Sequence, residues 1–267
     1  MRLRKKPWID DALPEVRDQY IYLDRLDRFK GHWRDQFQGR ELCLEIGSGK
    51  GAFITGMAAL HPEKAFIGVE TQIGVAYYPA RKAKDEGLTN LRMLCGDAAC
   101  LEDWFEPGEV RTLYLNFSDP WPKARHAKRR LTHVNFLALY FRLLGPGGTL
   151  YFKTDNRGLF DFSVEQFRLF GMDIRELSYD LHHSGYVNEV QTEYERKFSG
   201  RGTPINYCAA VFTAASGQGV ETRPPRDSRP RRRRRKDGNE REIPVLVQCA
   251  AGGPVAGPVP GCHWYRQ

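Results

Sequence analysis

The chain has 267 residues, enough for one α/β domain with appendages, and its 41% hydrophobic and 12% aromatic content is ordinary for a globular protein. No apolar run approaches the roughly 20 residues that a membrane helix needs, and the basic start at residues 2–6 runs into Pro7-Trp8-Ile9-Asp10-Asp11 instead of an apolar signal core, so a cytoplasmic protein is expected. The net charge of +8 is concentrated late: residues 218–267 carry 11 Lys+Arg against 5 Asp+Glu, which leaves residues 1–217 nearly neutral and excludes an argument for nucleic acid from overall charge alone.

Residues 1–40 read as a basic arm and a lead-in helix. Residues 41–46 (ELCLEI) form an apolar run ending in a glycine loop, and 52–60 is apolar at helical spacing, which predicts strand, loop and helix. Residues 65–70 read as a second strand and 73–86 as a helix stopped by Gly87. Strands follow at 91–95 and 110–116, a helix at 132–144 closed by Gly145-Pro146-Gly147-Gly148, a strand at 149–153 and a helix at 157–170. Two β-like runs, 172–179 and 206–213, close a sheet of seven strands. Alternating strands and helices predict a mostly parallel sheet with helices on both faces over residues 41–215. Residues 216–267, rich in Arg, Pro and Gly and including Arg231 to Arg235, cannot bury a core and predict a disordered tail. That tail is either a nonspecific RNA-binding arm or a dispensable extension. Cys43, Cys95, Cys100, Cys208, Cys249 and Cys262 form no C-x-x-C pair and have no His partner at zinc-finger spacing, so reduced thiols and no metal site are expected.

In open parallel sheets ligands bind beyond the carboxyl ends of the strands. Glu45, Glu70, Asp97 and Asp119 fall at or just after the ends of the first four strands. Gly47, Gly49 and Gly51 let the backbone turn tightly and approach a ligand. The loop alone fits S-adenosylmethionine or NAD equally, because Glu70 can accept hydrogen bonds from ribose hydroxyls in either. Glu45 favours the former, whose cationic amino-acid end it would attract, whereas it would repel a pyrophosphate. Asp97, in Gly96-Asp97-Ala98, suits an adenine amino group and is equally ordinary turn chemistry.

The most distinctive stretch is NFSDPWPK at 116–123, followed by Arg125, His126, Lys128, Arg129 and Arg130. Asp119 suits the Watson–Crick edge of guanine, Trp121 between two prolines suits stacking on an extruded base, and Lys123 with the following cations suits phosphates. Asp155, in KTDN at 153–156, adds another strand-end carboxylate. Thr192-Glu193-Tyr194-Glu195 has the spacing of a helix capping box. Together the glycine loop and the 116–130 segment point to methylation of a base in RNA. Methylation of an exocyclic base amine, a noncatalytic RNA-binding protein and an NAD-dependent dehydrogenase are the competing readings.

Over roughly residues 1–215 the chain closely resembles the bacterial tRNA (guanine-N7-)-methyltransferases. The resemblance rests on LEIGSGKG at 44–51, VE at 69–70, GDA at 96–98, NFSDPWPKARHAKRRL at 116–131, KTDN at 153–156 and TEYERKF at 192–198. It implies a Rossmann-like class I methyltransferase fold, S-adenosyl-L-methionine as donor and a guanine in the tRNA variable loop as target. It implies cofactor binding by Glu45, Gly47, Gly49, Glu70, Asp97 and Asp119, with Asp119 also the catalytic residue. It implies substrate binding by Lys123, Asp155, Thr192, Glu193, Tyr194 and Glu195, and RNA contact by Arg125, His126, Lys128, Arg129 and Arg130. A monomer or homodimer is expected.

Overall fold

Strand β2 (Glu41–Ile46) shows how the sheet is held, because its side chains alternate between two cores. Leu42, Leu44 and Ile46 enter one apolar cluster while Cys43 enters another on the opposite face. The same division runs through β3 (Lys64–Glu70), with Ala65, Ile67 and Val69 on the first face and Phe66 on the second. Parallel strands buried on both faces lack the polar alternation of a solvated strand and read as continuous apolar runs. The computed structural model describes residues 7–200 and 202–225.

The remaining strands are β1 (Ile21–Tyr22), β4 (Leu91–Cys95), β5 (Thr112–Asn116), β6 (Thr149–Thr154), β7 (Asp173–Ser178) and β8 (Asn206–Val211). They form one sheet in the order β1-β4-β3-β2-β5-β6-β8-β7. All pairings are parallel except those of β8, which runs antiparallel to β6 and β7. Helices α1 (Trp8–Ala12), α3 (Ala52–Leu60) and α4 (Ile73–Asp85) supply the second face. The first face is packed by α2 (Trp33–Gln36), α5 (Leu101–Trp104), α6 (Val134–Leu144) and α7 (Arg157–Leu169). A last helix, α8 (Glu193–Ser199), precedes β8. No helix among the described residues is long and apolar enough to cross a membrane.

The sheet has eight strands where seven are expected, and the extra one comes from the segment expected to be an arm and lead-in helix. Ile21 and Tyr22 pair with Met93 and Leu94 of β4. Trp33 is fully buried, donates its indole N–H to the Trp104 carbonyl at 2.8 Å and meets the rings of Phe29 and Phe105. Burial of such a ring contributes on the order of 3 kcal/mol, so residues 8–40 are part of the domain. The other end is also longer than expected. Ser216 is buried, the Gly217 N–H donates to the Phe170 carbonyl at 2.7 Å, Val220 packs on the core, and the Arg223 N–H reaches the Asn135 side chain at 3.0 Å. Residues 216–225 therefore belong to the domain, while the rest of the expected tail, with Arg231–Arg235, Cys249 and Cys262, lies outside the described residues. Cys43, Cys95 and Cys208 are free thiols.

The order of connection reverses between β2 and β5. From β2 the chain moves through α3 to β3 on one side, and from β5 it moves through α6 to β6 on the other. This is the switch point at which open α/β sheets bind ligands.

Candidate active site

Glu45 is the penultimate residue of β2, at that switch point and on the face covered by α3. Its neighbours in register are Gly68 and Tyr114, and Asn116 at the end of β5 is in turn paired with Lys153 of β6. The Asn116 side chain donates to Glu45 Oε1 at 2.8 Å. Glu45 is 2% exposed, and its Oε2 has no hydrogen-bond partner. Burial pushes its carboxyl up to about 7, with Asn116 and Lys153 pulling the other way and Glu70 adding to the rise. A buried carboxylate oxygen without a partner is costly in an empty site, and it is complementary to a bound cation.

Gly47, Gly49 and Gly51 all have left-handed backbones, with φ of 76°, 55° and 80°. A Cβ on Gly47 or Gly49 would meet nothing within 4 Å, so these two leave open space above the strand end. A Cβ on Gly51 would collide with the Pro79 ring, so this glycine also permits close packing of α3 on α4. Glu70 is held by the loop it faces: Oε2 accepts from the Gly49 N–H at 3.3 Å, and Oε1 from the Gln72 N–H at 3.1 Å. Asp97 Oδ1 accepts the Ala99 N–H at 2.9 Å, which caps a single 3-10 turn.

A cleft of about 210 Å³ opens here, lined by Glu45, residues 47–53, Asn116, Phe117 and Thr192 to Tyr194. That volume is below the roughly 300 Å³ at which whole small-molecule pockets begin. The residues fit S-adenosylmethionine: Glu45 Oε2 offers an acceptor to an ammonium, and the Ser48 Oγ in the same cleft is also buried without a partner.

The third wall comes from residues far along the chain. Lys153 Nζ donates to Glu195 Oε2 at 2.9 Å, Asn188 Oδ1 at 3.1 Å and the Val190 carbonyl at 3.3 Å. Glu195 is fully buried, and its Oε1 accepts from Asn188 and lies 3.4 Å from His182 Nε2. Thr192 and Glu195 form a capping box on α8. The ion pair thus fixes the 181–199 segment onto β6, and the expected substrate residues divide. Thr192, Glu193 and Tyr194 line the cleft, whereas the Glu195 carboxylate faces the interior and is used up there. Tyr194 packs on Phe117 at 4.9 Å between ring centroids and donates its hydroxyl to Asp155 at 3.0 Å, which places Asp155 at the rim.

The loop after β5 is bent sharply at two aromatic residues, Phe117 at φ 52° and Trp121 at φ 40°. Left-handed backbones at such residues cost about 1–3 kcal/mol each and persist where the surroundings over-determine them. Asp119 between them is exposed. Residues 124–129 form a 3-10 helix in which Arg125, Lys128 and Arg129 are exposed, as is Lys123 before it. Trp121 meets His126 edge-on at 5.7 Å and lies under the Arg129 guanidinium at 4.8 Å. Arg130 instead turns toward the protein, donating to the carbonyls of Pro120 at 3.0 Å and Trp121 at 3.1 Å. Sequence reasoning missed Asn116 and Lys153 as site residues. Asn116 sits inside a motif already singled out, but Lys153 acquires its role only through strand register and a partner 42 positions away. No group of three or more His, Cys, Asp or Glu suited to a metal ion occurs among the described residues.

Residues 39–208 match a family described as "Putative methyltransferase". Two solved structures share the fold, an antibiotic-resistance methyltransferase (TM-score 0.50, 19% identity, 70% of this chain and 93% of that one) and an antibiotic-related methyltransferase (TM-score 0.52, 12% identity, 69% and 94%). Curated tRNA (guanine-N(7)-)-methyltransferases are far more similar in sequence. That of Listeria monocytogenes serotype 4b (strain F2365) is 47% identical over 213 residues, covering 79% of this chain and 99% of the relative. That of Bacillus subtilis (strain 168) is 47% identical over 206 residues, covering 77% and 96%. A chain with this Rossmann-like methyltransferase sheet and this level of identity across the whole length of such relatives belongs to the tRNA (guanine-N(7)-)-methyltransferase family.

Proposed function

We propose that the protein transfers a methyl group from S-adenosyl-L-methionine to N7 of a guanine in the variable loop of tRNA, in the cytoplasm. The observation that carries this reading is the buried, half-satisfied Glu45 carboxylate on the floor of a glycine-walled cleft whose adjoining loop presents Asp119. Glu45 and Ser48 hold the donor's amino-acid end, Glu70 its ribose and Asp97 its adenine. The donor supplies an electrophilic methyl group on a sulfonium.

Guanine N7 carries an in-plane lone pair, so no residue has to remove a proton before attack. The work of the protein is to hold the base in line with the methyl group and to favour the positive charge that moves onto the ring. Asp119 supplies that electrostatic help and binds the guanine edge. It is not a general base. Lys123, Arg125, Lys128 and Arg129 are exposed on one segment and contact tRNA phosphates, with His126 beside them. Tyr194, Asp155, Thr192 and Glu193 border the place the base enters.

The test is transfer of labelled methyl from S-adenosylmethionine to unmodified tRNA, mapped by borohydride and aniline cleavage. A second tRNA carries adenine in place of the variable-loop guanine. Cleavage at that guanine in the first tRNA and none in the second is expected. Transfer without such cleavage moves the target to another base position, and binding of tRNA without transfer favours a noncatalytic RNA-binding protein.

A further inference from the structure

Of the five basic residues at 125–130, Arg130 alone is engaged with the loop that carries Asp119 through hydrogen bonds. Its Nε and Nη2 donate to the two consecutive carbonyls that follow Asp119, at 3.0 and 3.1 Å. Its guanidinium lies 4.3 Å from the centroid of the Phe162 ring on α7, and that ring is stacked in turn by His133. The loop has little means of holding itself. Pro120 and Pro122 have no N–H to donate, and the backbone is left-handed at Phe117 and Trp121. A strained loop with few donors keeps its shape only if something outside it binds its carbonyls. The rigid planar fork of a guanidinium is pre-set for two adjacent carbonyls, whereas the rotatable ammonium on the flexible stem of a lysine is not.

We propose that Arg130 is a positioning residue: it sets the conformation of the Asp119–Trp121 loop from below and contacts no tRNA phosphate. The inference rests on the assignment of Asp119 to the reaction. It separates Arg130 from Arg125, Lys128 and Arg129, which are exposed and bind the polyanion.

The experiment compares Arg130→Lys, Arg130→Gln and Lys128→Ala with the unaltered enzyme. It measures kcat at saturating tRNA, equilibrium tRNA affinity from low to moderate salt, and S-adenosylmethionine affinity by calorimetry. Loss of geometry predicts that both Arg130 variants lose kcat by about 100-fold. Their tRNA affinity stays within about twofold at each salt concentration, because no counterion-releasing contact has been removed. Donor affinity stays unchanged, which shows the fold intact. Lys128→Ala, by contrast, weakens tRNA binding and lowers the salt slope by about 0.7 to 0.9. The proposal is overturned if Arg130→Lys retains full kcat, since charge alone would then suffice. It is equally overturned if Arg130→Gln flattens the salt slope as Lys128→Ala does, or if donor binding is lost together with kcat. Failure of the unaltered enzyme to methylate N7 would instead count against the assignment of function.

Discussion

Replacing Glu45 by Gln separates the two consequences of burying a carboxylate at the end of β2. Glu45 titrates near 7 in the folded protein, against an ordinary value of 4.5. The folded state therefore holds a proton that the unfolded chain has released. A group whose folded pKa is raised contributes stability that is fully present below its unfolded pKa and is lost as pH rises through its folded pKa. Each pH unit between those two values is worth about 1.4 kcal/mol, so the donor-free enzyme forfeits about 3 kcal/mol by pH 8, most of it between pH 5 and 7. Gln has no proton to lose. The gap between Glu45→Gln and the unaltered protein should widen in favour of the variant by about 2–3 kcal/mol from pH 5 to pH 8, read from urea unfolding without S-adenosylmethionine. Every other titratable group is shared, so it cancels in this difference. The variant should also bind S-adenosylmethionine at least about tenfold more weakly, having lost a charge-assisted partner for the ammonium. A gap that stays flat with pH would refute the reasoning, because Glu45 would then be ionised at no cost in the folded state.

Asp119→Ala should lower turnover by at least about 100-fold while leaving the thermal midpoint nearly unchanged, because the residue is exposed; near-normal methylation would remove Asp119 from the mechanism. Lys153→Met leaves the Glu195 carboxylate buried without its cation and should cost about 3–5 kcal/mol by urea unfolding. Adding Glu195→Leu should recover a large part of that loss, and equal instability of the single and double variants would contradict the account. A chain ending after Gly217 loses the Val220 packing and the Arg223–Asn135 bond that a chain ending after Pro225 keeps. The shorter one should melt several degrees lower, and identical midpoints would return residues 218–225 to the tail.

The fold was legible where elements are long enough to repeat a pattern. Strands β2 to β6 are apolar runs, and α3, α4, α6 and α7 recur at helical spacing between glycine stops. Their observed ends fall within about two residues of those expected. What was not legible is short. β1 has two residues and α1, α2 and α5 have five or fewer, so none completes a period that could be recognised. The docking of residues 216–225 depends on one valine and on the Asn135 side chain, contacts set by distant parts of the chain.

The site was legible as a set of motifs and illegible as a division of labour within them. Glu45 announces itself as an acid at a strand end, but its proton affinity is raised by burial and then moderated by Asn116 and Lys153, which reach it only through the register of β5 and β6. The motif 192–195 supplies three residues to the cleft and one, Glu195, to the interior, because the first turn of α8 rotates its last member toward Lys153. The basic run divides in the same way, with Arg130 bound to carbonyls and Arg125, Lys128 and Arg129 exposed. Spacing alone cannot separate these roles, since successive charged residues look alike in a string. Burial can. A charge that has lost its water must find partners within the protein, and one that keeps its water is available to a ligand. Applied to Glu45, the same criterion marks the one buried carboxylate oxygen in the cleft that lacks a partner as the place for the ammonium of the proposed donor.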